Sequence, residues 1–266
     1  MNRIDTRFAE LRTRHRKALI PFITAGDPTL ESTVPVMHAL VDAGADVLEL
    51  GVPFSDPMAD GPTIQRSSER AIARGAGLRY VLDTVRTFRD GDAATPVVLM
   101  GYLNPIEIRG VEVFAREAVA AGVDGVLLVD LPPEEAGDLR AAFDACGLVL
   151  VLLASPTTTD ERIARLCADA RGYLYYVSFA GVTGASGLDM GAALDRLRTI
   201  RQQSDAPVVA GFGIRDAATA RAMAAEADGV VVGSALVDAI AGASDATSAA
   251  RSAAEFLKPL RDALDA

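Results

Sequence analysis

The stretch LELGVPFSDPMADGPTIQRS, residues 48–67, decides how this chain reads. It starts inside an apolar run, residues 45–52, that has the pattern of a buried strand. The run carries one carboxylate, Glu49, and leads into a loop rich in Pro, Gly and Asp that holds a second, Asp60. A charge inside a core strand is costly unless it is paired, protonated or put to use. Two carboxylates at one strand end, with no histidine close by in sequence, point to acid–base chemistry run by carboxylates alone.

Working outward, similar apolar runs recur at 18–24, 96–101, 125–130, 148–154, 173–179, 207–211 and 229–233, with the run at 46–52 in second place. They are continuous rather than alternating, as strands buried on both faces are. Amphipathic segments separate them: Val34, Met37, Leu40 and Val41 fall at helical spacing, as do Val113, Phe114 and Val119, and Ile163 with Leu166. Asp27-Pro28 precedes the first long helix and Gly44 follows it. Pro132-Pro133 opens another, which Gly147 ends. Residues 5–16 read as an extra helix ahead of the first strand, 190–204 as the sixth helix and 245–264 as the last. Eight strand–helix units in parallel connection predict an α/β fold, a closed (β/α)₈ TIM barrel with an extra N-terminal helix, formed by residues 1–266 as one domain.

Composition narrows the function classes. Half of the 266 residues are hydrophobic, Trp is absent, and the net charge is −10, which disfavours a nucleic-acid surface or an anionic membrane as partner. No apolar stretch approaches the ~18 residues of a membrane span, and the N-terminus lacks an apolar signal region. Cys146 and Cys167 lack metal-type spacing and read as free thiols of a cytoplasmic protein. The lysines, Lys17 and Lys258, sit away from the strand C-termini where a barrel places its chemistry, so a Schiff-base mechanism is disfavoured. The histidines, His15 and His38, fall in the N-terminal segment and mid-helix. Metal-assisted and Ser–His–Asp or Cys–His mechanisms therefore lack their residues.

The loops at the strand C-termini carry a second signal. Gly211-Phe212-Gly213 and Gly233-Ser234 end the last two strands, the usual phosphate position of such barrels. Glycine lets backbone N–H groups approach an anion there, and a following helix start adds its dipole. Gly184 and Ser186, after strand six, could join them. Glu49 and Asp60 then carry the chemistry, with Tyr102, Tyr175 and Thr183 as helpers. If the reaction is a carbon–carbon cleavage, the electron sink must lie in the substrate, and an aromatic heterocycle can be one. Local sequence leaves alternatives open: Asp60 before Gly61-Pro62 as a turn or cap residue, Tyr175 as barrel packing, Asp56 as a turn residue or a partner contact.

The 48–67 segment, with PFITAGDP from Pro21, NPI from Asn104, AGVTG from Ala180 and GFGI from Gly211, resembles the tryptophan synthase alpha chain family over nearly the whole chain. The resemblance implies cleavage of indole-3-glycerol phosphate to indole and glyceraldehyde 3-phosphate. It also implies no cofactor in this chain, and a beta-chain partner carrying pyridoxal phosphate in an alpha2-beta2 heterotetramer. It puts the acid–base glutamate on Glu49 and the second catalytic carboxylate on Asp60. Phosphate-binding backbone falls on Gly184, Gly213, Gly233 and Ser234. Phe22, Tyr102, Leu127, Tyr175 and Phe212 fall on the pocket wall, and Thr183 on a loop that closes over it. Gly101 and Phe179 depart from the usual family residues. Three other readings are a standalone indole-3-glycerol phosphate lyase, a different sugar-phosphate barrel enzyme, and a non-catalytic barrel that binds such a ligand.

Overall fold

A computed structural model describes residues 2–177, 190–211 and 213–266. In chain order the elements are α1 (Arg3–Thr13), β1 (Ala18–Thr24), α2 (Thr33–Asp42), β2 (Leu48–Gly51), α3 (Pro62–Ala73), α4 (Leu78–Arg89), β3 (Val97–Gly101), α5 (Leu103–Arg109), α6 (Val111–Ala121) and β4 (Gly125–Leu128). Then come α7 (Gly137–Cys146), β5 (Val149–Ala154), α8 (Asp160–Asp169), β6 (Leu174–Tyr176), α9 (Met190–Gln203), β7 (Val208–Ala210), α10 (Ala217–Glu226), β8 (Gly229–Val232), α11 (Ser234–Ile240) and α12 (Ala246–Asp265). The strands pair in parallel in sequence order and close, β8 returning to β1 with Ala18 opposite Gly229 and Pro21 opposite Val232. Closure needs glycine at that seam: a Cβ on Gly229 would lie 2.6 Å from Ala18 Cβ and 2.9 Å from its carbonyl oxygen.

The strands are buried on both faces, but the faces belong to different cores. Ala18 and Ile20 of β1, Leu127 of β4 and Tyr175 of β6 point inside the barrel, where they pack with Val47 and Tyr173. Leu19, Leu48, Leu50, Leu174 and Tyr176 face outward to the helices. Helix α1 closes the bottom of the barrel. Asn2 caps it, its side chain accepting from Ile4 N at 2.9 Å, and Ile4, Phe8 and Leu11 plug the interior core. Every one of the eight predicted strands is present, and the barrel is as expected. α1 starts two residues earlier than its periodicity indicates, because the Asn2 cap satisfies the first turn. Pro132-Pro133 and Asp27-Pro28 each lead into a short 3-10 turn before the α-helix proper. α5 and α11, seven residues each, are too short to show periodicity in sequence.

Three aspartates just before strands tie the bottom rim together. Asp46, Asp124 and Asp228 accept the backbone N–H of Leu19, Val97 and Val208 at 2.9, 2.9 and 3.0 Å. Each is also paired with an arginine: Arg261, Arg89 and Arg201, at 3.0, 2.9 and 3.0 Å. Each carboxylate thus bonds the neighbouring strand and holds an outer helix to the barrel. This leaves the opposite, C-terminal rim free for loops.

Candidate active site

Inward alternation puts Val47 and Glu49 on one face of β2, so Glu49 points into the barrel while Leu48 and Leu50 pack outward. Glu49 stands opposite Phe22 on one side and Val98 on the other. It is fully buried. Tyr173 donates its hydroxyl to Glu49 Oε1 at 2.7 Å, and Oε2 has no partner among the described residues. Burial pushes the Glu49 carboxyl from 4.5 up to about 7, and the Tyr173 hydrogen bond offsets part of that rise. The group is therefore poised between acid and base near neutral pH.

Asp60 lies in the loop after β2, ahead of α3, whose first residue is Pro62 and whose cap position is Gly61. Asp60 is not the cap; its carboxylate accepts the Tyr102 hydroxyl at 3.1 Å. That hydroxyl also accepts from Ala59 N at 3.0 Å, and the Tyr102 ring rests against Phe54 with centroids 5.0 Å apart. Tyr102 thus anchors the loop to β3. Burial raises the Asp60 carboxyl to about 6, with the Tyr102 bond pulling it back in part. Splitting acid and base roles between two carboxyls calls for different environments, one dry and one polar. The structure instead raises both carboxyls, Glu49 further, because Asp60 is itself half-buried.

Glu49 and Asp60 open into one cavity of about 580 Å³ at the C-terminal mouth. Phe22, Tyr175 and Ile64 give it apolar wall, and Gly213, Gly233 and Ser234 line it as well, with Gly233 against the Phe22 ring. Tyr175 is packed so closely that a Cβ on Gly211 would fall 2.0 Å from its hydroxyl, so glycine is required there. Gly213 has φ +62°, which favours glycine. Ser234 begins α11, a helix of seven residues, so the positive field at this rim comes from loop N–H groups more than from a long helix dipole. Leu127 packs in the interior core and is not on the cavity wall. Thr183, Gly184, Ser186 and Phe212 lie outside the described residues.

Sequence reasoning passed over Tyr173, Arg215 and Asp238. Tyr173 was legible in principle: it shares the inward face with Tyr175 at a spacing of two. Arg215 and Asp238 follow the glycine loops and also line the cavity. Among the described residues no group of His, Cys, Asp and Glu could hold a metal, and no helix is long and apolar enough to cross a membrane.

Barrel, buried glutamate and glycine-lined mouth together define a (β/α)₈ protein with a carboxylate-bearing cavity at the C-terminal ends of its strands. The profile of the tryptophan synthase alpha chain family matches residues 8–265. The chain is 73% identical to the tryptophan synthase alpha chain of Xanthomonas oryzae pv. oryzae, covering 100% of this chain and 99% of that one. It is 68% identical to that of Xylella fastidiosa, over 100% and 99%. A crystal structure of tryptophan synthase subunit alpha from Legionella pneumophila superposes with a TM-score of 0.93 at 47% identity, covering 100% and 99% of the two chains. A chain of Mycobacterium tuberculosis tryptophan synthase gives 0.88 at 35% identity, over 100% of both. The chain belongs to the tryptophan synthase alpha chain family.

Proposed function

We propose that Glu49 and Asp60 are the catalytic pair of a carbon–carbon lyase that cleaves indole-3-glycerol phosphate to indole and glyceraldehyde 3-phosphate, the reaction of this family. The observation that carries this reading is a fully buried glutamate with one free carboxyl oxygen, opening into the same cavity as a second carboxylate. Cleavage without lysine or metal needs the indole ring as electron sink. Glu49, protonated, delivers its proton to indole C3 and leaves a cationic indolenine. The side-chain hydroxyl then returns a proton to Glu49 as the C–C bond breaks and its electron pair restores the aromatic ring. Asp60, ionised, accepts the indole N–H and stabilises the charge as it develops. Phe22 and Tyr175 pack against the ring, and Gly213, Gly233 and Ser234 take the phosphate, with Gly184, Phe212 and Thr183 contributing from outside the described residues. A cavity of about 580 Å³ suits a ligand of that size.

The pH dependence follows from the two carboxyls. Asp60 must be ionised, so kcat/KM should rise as pH passes about 6. Glu49 must be protonated, so it should fall as pH passes about 7. A bell with these two limbs is expected from initial rates between pH 5 and 9. Tyr173→Phe removes the hydrogen bond that holds the Glu49 value down and should move only the upper limb, to higher pH. A flat profile across this range would contradict the assignment.

As a member of its family the chain works with a beta chain, in an alpha2-beta2 assembly, and pyridoxal phosphate belongs to that partner. Met58 and Ile108, 82% and 81% exposed, stand on the loop after β2 and on α5, and such bare apolar side chains suit burial by a protein partner. We further infer that residues 1–266 make one barrel domain and act in the cytoplasm. The lyase assay on purified chain, alone and with a beta chain, tests the whole reading. Turnover that rises at least about tenfold on complex formation is expected. Equal rates would favour a standalone lyase, and binding without turnover a non-catalytic barrel.

A further inference from the structure

We propose that Arg215 binds the substrate's phosphate and draws the dianion into the cavity. The inference rests on the reading above, that a phosphate ester occupies the glycine-lined end.

The charges on the cavity wall carry the argument. The described lining residues include three carboxylates, Glu49, Asp60 and Asp238, and one cationic side chain, Arg215. Glu49 is neutral in the acid form, so a phosphate dianion approaching a chain of net charge −10 meets repulsion from Asp60 and Asp238 on the wall. The loop N–H groups at Gly213, Gly233 and Ser234 are local dipoles and act only at contact. A full positive charge beside them acts at longer range, because a cleft with low-dielectric walls focuses the field.

Position and freedom both suit Arg215 to the task. It stands two residues after Gly213, on the loop from β7 to α10. Its backbone N–H is tied to Thr219 Oγ1 at 3.2 Å, beside the Asp216–Thr219 capping box of α10, so the main chain is held in place. The residue is exposed; its charge helps to hold the neighbouring Asp216 carboxyl down, but its guanidinium forms no close salt bridge among the described residues. Most arginines near strand ends here are committed: Arg70 to Asp27, Arg89 to Asp124, Arg201 to Asp228. Asp238, which lines the same cavity, accepts from Thr63 Oγ1 at 3.2 Å. A planar guanidinium left free at a phosphate end can form paired N–H bonds to two phosphate oxygens.

The test uses the alpha–beta complex with Arg215→Gln, Arg215→Lys and, as a control for net charge, Arg251→Gln on the exposed face of α12. Phosphate binding is equal in ground and transition states, so Arg215→Gln should raise KM for indole-3-glycerol phosphate about fivefold to tenfold and leave kcat within about twofold. The fall of kcat/KM with added salt should flatten in that variant. Arg215→Lys should recover most of the loss, and Arg251→Gln should match the wild type. Calorimetry should show weaker binding of glycerol 3-phosphate but unchanged binding of indole. Arg215→Gln with wild-type KM, salt dependence and glycerol 3-phosphate affinity would overturn the proposal. If the wild-type complex itself bound no glycerol 3-phosphate, the phosphate reading would fall, and this inference with it.

Discussion

Glu49→Gln is expected to lower lyase turnover by about 10³-fold, the middle of the range for losing a positioned acid–base group. The amide keeps the size of the carboxyl, and its oxygen can still accept the Tyr173 hydroxyl, so the barrel interior is preserved. What is lost is the proton: an amide can neither protonate indole C3 nor take the hydroxyl proton. The same substitution should stabilise the fold at alkaline pH. The folded-state value of about 7 lies above the ordinary 4.5, so the stability tied to the protonated form is complete below about 4.5 and lost as pH rises through 7. Glutamine avoids that loss, which at pH 8.5 amounts to an order of magnitude of about 3 kcal/mol. Urea unfolding at pH 5 and 8.5 should show the gap between variant and wild type widening with pH. Turnover within tenfold of wild type would make Glu49 a structural residue.

Asp60→Asn should cost about 10²-fold to 10³-fold in turnover, the scale of losing one preorganised electrostatic partner of a developing charge. Asparagine still accepts from Tyr102, so the loop stays anchored to β3 and the fold is kept. The negative charge that faces the indole N–H is gone, and the cationic indolenine loses its stabilisation. The low-pH limb near 6 should vanish with the carboxyl. Steady-state indole release together with the pH profile checks both points. Near-wild-type turnover would return Asp60 to the role of a turn residue.

These expectations depend on different amounts of tertiary information. Glu49 was legible because a carboxylate among Val47, Leu48 and Leu50 breaks an apolar pattern. Asp60 was ambiguous, since Asp-Gly-Pro is also a turn signal; the structure puts the cap position on Gly61 and ties the Asp60 carboxylate to Tyr102 instead. Tyr173 and Arg215 escaped notice for opposite reasons. Tyr173 looks like ordinary strand packing until Glu49 is seen against it. Arg215 looks like a surface charge until β8 brings Gly233 and Asp238 to the same mouth.

The strand–helix alternation, the position of each strand and the buried glutamate are local properties of this sequence. They follow from side-chain pattern, turn residues and the cost of a charge in an apolar run. Closure of β8 onto β1, the meeting of Tyr173 with Glu49 and of Tyr102 with Asp60, and the upward shift of both carboxyls depend on residues 42 to 211 positions apart. Those contacts set local dielectric and hydrogen bonding, which no local pattern encodes. The sequence by itself determined which groups are present at the barrel mouth; only the packed barrel decided how far each is desolvated, and hence which of them holds a proton near neutral pH.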